Sequence, residues 1–158
     1  MAAFSMTKRI EAPVEIVFEV FTDLPRAEER ISGVKKLEVL SDGPIGTGTR
    51  FSETRVMFGK EASQEMEITD FEPNRGYTVA ADSCGCHCRT RFDFLPDGEE
   101  ATKVNVVFET KPMSFFAKLM SPFGKLMMGA CAKAFEQDLE ELRVASETLA
   151  VEASTTQV

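Results

Sequence analysis

Hydrophobic and polar residues alternate over the first segment of the chain. Between Ala3 and Glu11, Phe4, Met6 and Ile10 stand against Ser5, Thr7 and Arg9, a period of two that predicts a strand. Lys8 breaks its apolar side. Pro13 suits the first turn of a helix. Val14, Val17, Phe18 and Phe21 then recur at i, i+3, i+4 and i+7, with Glu15 and Glu19 between them. That spacing predicts an amphipathic helix whose early acidic residue complements its N-terminal dipole. A second short helix is expected over Arg26 to Ile31, stopped near Gly33.

From Val34 to Lys111 the pattern changes to strands separated by turn signals. The expected strands are Val34–Leu40, Thr49–Phe58, Lys60–Phe71, Tyr77–Ser83, His87–Leu95 and Thr102–Thr110. Turns fall at Asp42-Gly43-Pro44, Gly59, Pro73-Asn74-Arg75-Gly76, Cys84-Gly85 and Pro96-Asp97-Gly98. The connections are short enough for a meander of antiparallel hairpins. The end is helical: Phe115, Phe116, Leu119, Met120, Phe123, Met127, Ala130, Ala134, Asp138 and Leu142 keep a helical period, with a polar break at Asp138. Pro122 should start the main helix or kink it. Ser154 to Val158 is polar, and residues 149–158 are expected to form a disordered tail after a single domain over 1–148.

The order is strand, two short helices, six strands, one long helix. The sheet and the long helix each have a face to bury. The expected fold is therefore α+β, a curved antiparallel sheet of about seven strands wrapped around the C-terminal helix. A bent sheet and a helix cannot close everywhere, and the space between them is the natural place for a ligand.

These residues resemble the START-like, Bet v 1-like helix-grip superfamily (SRPBCC), and most closely its polyketide cyclase/dehydrase and lipid-transport branch. The resemblance rests on Ile10-Glu11-Ala12-Pro13-Val14-Glu15-Ile16-Val17-Phe18, on Gly46-Thr47-Gly48-Thr49-Arg50-Phe51, on Ile68-Thr69-Asp70-Phe71-Glu72-Pro73-Asn74-Arg75 and on the long final helix. It covers residues 3–148. It implies the helix-grip fold and a hydrophobic ligand; members bind, carry or chemically alter many such molecules, so fold does not fix function. The family often carries an aromatic residue in the second short helix, where this chain has Glu29 and Arg30.

Composition narrows the function classes. The 158 residues suit one domain. With 26 acidic and 18 basic residues the net charge is −8, the wrong sign for a global nucleic-acid binder. No stretch approaches the roughly 20 apolar residues of a membrane span. Thr7, Lys8 and Arg9 stand where a signal peptide would be apolar, so a cytoplasmic location with reduced thiols is expected. The chain holds one His, one Tyr and no Trp, so any histidine-dependent catalysis would have to use His87.

Alternation assigns an inner face to each strand. Phe51, Glu53, Arg55 and Met57 should point inward from one strand, and Ala62, Gln64, Met66 and Ile68 from the next. A turn at Phe58-Gly59-Lys60-Glu61 would pair Arg55 with Gln64 and Glu53 with Met66. Glu53, Arg55 and Gln64 then make a polar patch on an apolar wall. It reads either as an anchor for a ligand carbonyl or hydroxyl, with Glu53 a candidate general base, or as a structural ion pair. The expected ligand-binding set is Phe51, Glu53, Arg55, Gln64, Met66, Tyr77, Val79, Cys88, Thr90 and Phe92 on the sheet. Phe116, Met120, Phe123 and Met127 complete it from the helical end.

Cys84-Gly85-Cys86-His87-Cys88 has zinc-ligand atoms, but on a strand Cys86 and Cys88 share one face while His87 points to the other. Small reduced side chains lining the core explain them better, and no metal is expected. His87, Arg89, Arg91 and Asp93 should form a solvated outer face if Phe92 and Phe94 turn in. No phosphate-binding glycine loop or other cofactor motif is present, so no cofactor is expected. Residues 111–135 contain Lys111, Lys118, Lys125 and Lys133 but no Asp or Glu, and four of the eight methionines. This is either an ordinary amphipathic helix, a gate over the cavity, or a peripheral membrane contact through residues 111–133.

Three function classes follow. The leading one is a carrier or sensor for a small hydrophobic molecule, whether lipid, polyketide-like or aromatic. An enzyme of cyclase, dehydratase or hydrolase type would need Glu53 or Tyr77 as its acid-base group. The third is a membrane or protein interaction module built on the Met- and Lys-rich helix. Oligomeric state is not legible.

Overall fold

The structure is a computed structural model that describes residues 2–57, 59–83, 85–113 and 121–156. Within these, side chains are described for all but residues 2, 57, 83, 121–125, 127 and 156. Strand β1 (Ala2–Ile10) leads into helix α1 (Val14–Thr22), a 3₁₀ turn (Leu24–Arg26) and the one-turn helix α2 (Ala27–Arg30). Strands β2 (Val34–Val39), β3 (Arg50–Met57), β4 (Lys60–Glu72), β5 (Gly76–Ser83), β6 (Cys86–Pro96) and β7 (Thr102–Pro112) follow. Helix α3 (Ser121–Thr156) ends the chain. The strands make one antiparallel seven-stranded sheet in the order β1-β7-β6-β5-β4-β3-β2. This is the helix-grip architecture expected from the pattern of elements.

Two features bend the sheet around the helix. The β2–β3 ladder shifts register between Val34 and Lys36, and the β4–β5 ladder between Ile68 and Asp70. Such bulges add twist and let a sheet curl. The β3–β4 connection is a two-residue turn in which Gly59 takes φ 78°, a left-handed conformation that glycine adopts without steric cost.

That turn corrects the expected register. Glu53 pairs with Gln64, Phe51 with Met66 and Arg55 with Ala62, two residues away from the expected partners. The four-residue turn of the sequence reading is in fact two residues long, because Met57 pairs with Lys60. A shift of two leaves every side chain on its expected face.

An aromatic cluster closes the core beneath α1. The Phe18 ring meets Phe94 at 5.1 Å and Phe71 at 5.3 Å, edge to face, and Phe21 meets Phe94 at 5.2 Å. Tyr77 stacks on Phe92 at 4.6 Å. Phe135 packs α3 onto the same concave face, towards its β1–β7 edge, against Phe4 and Phe108. Pro122 falls in the first turn of α3, where a missing N–H is harmless. The helix then runs on to Thr156, past the expected start of a disordered tail at 149. Leu149 and Ala150 pack against the core cluster, and that burial carries the helix onward. Among the described residues no helix is long and apolar enough to cross a membrane.

Candidate ligand-binding site

The concave face of the sheet, α1 to α2 and α3 enclose a cavity of about 130 Å³. Its floor is Phe51, Met66, Ile68, Tyr77, Val79, Thr90 and Phe92 from β3 to β6. Phe21, Leu24, Ala27 and Ile31 roof one side, and Phe135, Leu139 and Leu142 of α3 the other. Three charged residues break this apolar lining: Glu53, Arg55 and Asp138.

They form one cluster across the cavity. Arg55 Nε donates to Glu53 Oε1 on its own strand. Nη1 donates to Asp138 Oδ1 at 3.2 Å and Nη2 to Asp138 Oδ2 at 2.6 Å, a two-pronged bond from β3 to α3. Glu53 and Asp138 side chains are only 15% and 14% exposed, so the charges depend on one another rather than on water. Burial works against the Arg55 charge, but the bond to Asp138, the field of both carboxylates and the bond to Glu53 outweigh it, and its pKa rises. Burial pushes the Asp138 carboxyl above its ordinary value despite the Arg55 bond, and the Glu141 charge adds to the rise. The Tyr77 phenol, buried and facing the Glu53 charge, is pushed far up and stays protonated.

A second tie fixes the roof. Glu141, on α3, accepts from Ser32 N and Ser32 Oγ, both at 2.6 Å, while Gln137 Nε2 donates to Ser32 Oγ at 3.2 Å. The loop after α2 is thereby held to the same helix that carries Asp138. Next to it, Gly33 lets Arg55 pass close: a Cβ there would lie 2.9 Å from Nη1.

Residues 1–147 match the family described as polyketide cyclase / dehydrase and lipid transport. The chain belongs to this family. No curated protein sequence matches it significantly. Among solved structures, the chain resembles the Zhui aromatase/cyclase from Streptomyces sp. R1128, with a TM-score of 0.78 at 14% identity, covering 92% of this chain and 93% of that one. TTHA0849 from Thermus thermophilus matches with a TM-score of 0.70 at 22% identity, over 97% and 99% of the two chains. Norcoclaurine synthase from Thalictrum flavum, solved with dopamine and hydroxybenzaldehyde, matches with a TM-score of 0.62 at 18% identity, over 89% and 87%. At these identities the likeness establishes the polyketide cyclase/dehydrase family fold alone.

Of the expected site residues, Phe51, Glu53, Arg55, Met66, Tyr77, Val79, Thr90 and Phe92 line the cavity. Gln64 is half-buried beside Glu53 but forms no part of the wall. Cys88 lies on the same face of β6 as Thr90 but beyond the wall, with its Sγ 3.6 Å from Thr110 Oγ1. Phe116 and Met120 lie outside the described residues, as do the side chains of Phe123, Met127 and Met57. The same holds for Lys118 and Lys125 of the cationic segment; Lys111, Met113, Leu126 and Lys133 are exposed.

His87 sits on the outer face, its Nδ1 2.7 Å from Asp82 Oδ1. Arg91 is also on that face, bonded to Asp70 and Asp93. Among the described residues, which exclude Cys84, no group of three or more His, Cys, Asp or Glu side chains is placed to hold a metal. Asp138 is the site residue that the alternation of strands does not reveal. Its signal in the sequence is the lone charge at an apolar position of the long helix.

Proposed function

We propose that this protein binds a small, mostly apolar molecule between the sheet and α3, as a carrier or sensor. The observation that carries this reading is the cavity itself: an apolar pocket, roofed on both sides, with one polar cluster at a fixed place. Such a lining gives affinity through burial and orientation through a few polar groups. At about 130 Å³ the space is below that of drug-sized pockets and on the scale of a cavity that takes up one aromatic ring. Family membership supports a hydrophobic ligand of this kind.

The chain supplies its own reporter. Tyr77 is the only tyrosine, there is no tryptophan, and its ring faces the cavity. Titration with cyclohexanol, which is transparent where tyrosine absorbs, should change Tyr77 emission saturably. Val79→Phe should fill the cavity and remove that response while thermal unfolding stays cooperative. A linear, unsaturable change in the wild type, or an unaltered response in Val79→Phe, would overturn the reading. Native mass spectrometry of gently purified protein then gives the chemical class of any retained ligand.

A second reading is favoured by one observation. Glu53 and Asp138 are two carboxylates in an apolar cavity, and burial raises the Asp138 carboxyl above its ordinary value. On this reading the cluster performs acid-base chemistry on the bound molecule, as a cyclase or dehydratase would. Asp138→Asn would then abolish turnover of a polyketide-like substrate while leaving cyclohexanol binding in place.

A further inference from the structure

The charges in the cavity do not balance. Two carboxylates, Glu53 and Asp138, face one guanidinium, Arg55. Glu141, one turn along from Asp138, adds its field to the same place. The C-terminal turn of α1 also looks in through Phe21 and Thr22, and that end of a helix carries partial negative charge. In a poorly solvated space an excess negative charge is costly unless a cation offsets it.

The bonding pattern points the same way. All three Arg55 nitrogens already donate to carboxylates. A ligand carboxylate would meet no uncommitted cation and two like charges. Glu53, by contrast, uses only Oε1 towards Arg55, and among the described residues no donor to Oε2 is seen. That leaves acceptor capacity on a carboxylate that lines the same cavity as Tyr77 and Phe92.

Resting on the ligand-binding reading above, we propose that the cavity selects an organic cation: a compact apolar body carrying a protonated amine, whose ammonium sits against Glu53 and Asp138. The ring or alkyl body lies on Tyr77, Phe92 and Val79. Neutral ligands of the same shape bind more weakly, and anionic ones weakest.

Three probes that share a phenyl ring and a short chain separate the charge from the shape: 2-phenylethylamine, 2-phenylethanol and 3-phenylpropanoate. Isothermal titration at pH 7 should give the amine a Kd at least about tenfold below that of the alcohol, with the acid weakest. Glu53→Gln should bring the amine and the alcohol to within about threefold of each other. Should that variant fail to fold by circular dichroism, Asp138→Asn makes the same comparison. Equal binding of amine and alcohol by the wild type, or tighter binding of the acid, overturns the proposal. So does an amine preference untouched in a folded Glu53→Gln or Asp138→Asn. Cyclohexanol distinguishes the two levels of failure. If it binds while the amine shows no advantage, charge selection fails and the cavity reading stands; if neither it nor any phenyl probe binds, both fail.

Discussion

Removing Arg55 and removing Asp138 break the same bond, yet the structure assigns them different costs. In Arg55→Met the methionine fills much of the same volume, but Glu53 and Asp138 are left facing each other, each more than four-fifths buried. Deleting one partner of a buried pair costs about 3–5 kcal/mol, and Arg55 is itself about a quarter exposed, which lowers the figure to about 3 kcal/mol. For a chain of this size that is a fall in Tm of roughly 6–12 °C. In Asp138→Asn, Arg55 keeps Glu53, and the amide oxygen still accepts from Nη2. Burial already disfavours the Asp138 charge, so losing it relieves part of the cost. The expected loss is under about 1 kcal/mol, or a Tm within roughly 3 °C of the wild type. The pH dependence gives an independent sign. In Arg55→Met the Asp138 carboxyl, already raised by burial, loses the Arg55 bond and charge that hold it down and rises further. Groups raised in this way contribute stability that is complete below the unfolded value, near 4, and is lost as pH rises through the folded value. The deficit of Arg55→Met against the wild type should therefore shrink as pH is lowered from 7 towards 4. Thermal melts followed by circular dichroism at both pH values measure this. Equal losses in the two variants, or an Arg55→Met deficit that grows on acidification, would refute the reasoning.

Other substitutions probe the frame around the cluster. Phe18→Ala removes the ring at the centre of the aromatic cluster, 5% exposed, and should cost about 3–5 kcal/mol by chemical denaturation, against under about 1.5 for Phe18→Leu. Gly76→Ala would place a Cβ 2.6 Å from the Phe92 carbonyl oxygen; because that neighbour is backbone, a loss of about 1–3 kcal/mol and a lower Tm are expected. At Glu141, burial raises the carboxyl pKa, but the bonds from Ser32 and Gln137 and the Arg55 charge outweigh it and lower it overall. Its contribution is present above the ordinary carboxylate range and lost as pH falls through the lowered value, so Ser32→Ala should cost stability at pH 7 but little near pH 2, by paired urea titrations.

Much of the fold was legible because alternation is a local property. Whether Phe51, Glu53 and Arg55 share a face depends only on their spacing by two, and that survives an error in the turn. The expected pairing of Glu53 with Met66 was displaced by two residues, to Gln64, yet the concave face came out the same. Partners across the cavity are a different kind of information. Nothing within β3 says which turn of α3 will stand over Arg55, because that depends on how far the sheet curls and where the helix lands. The bulges at Val34/Lys36 and Ile68/Asp70 set the curl, and neither has a strong local signature.

The sequence nonetheless held both halves of the cluster. Asp138 stood out as a charge at an apolar position of the long helix, and Arg55 as a charge on an apolar strand face. Each is costly alone, and the two kinds of charge are opposite. Pairing the orphan charge of one element with that of the element expected to cover it would have placed Asp138 in the site before any coordinates. The same argument, carried one step further, asks what balances Glu53. Arg55 can neutralise one carboxylate only, so in this cavity the remaining negative charge is a property available to a ligand, and the amine, alcohol and acid probes measure whether the ligand uses it.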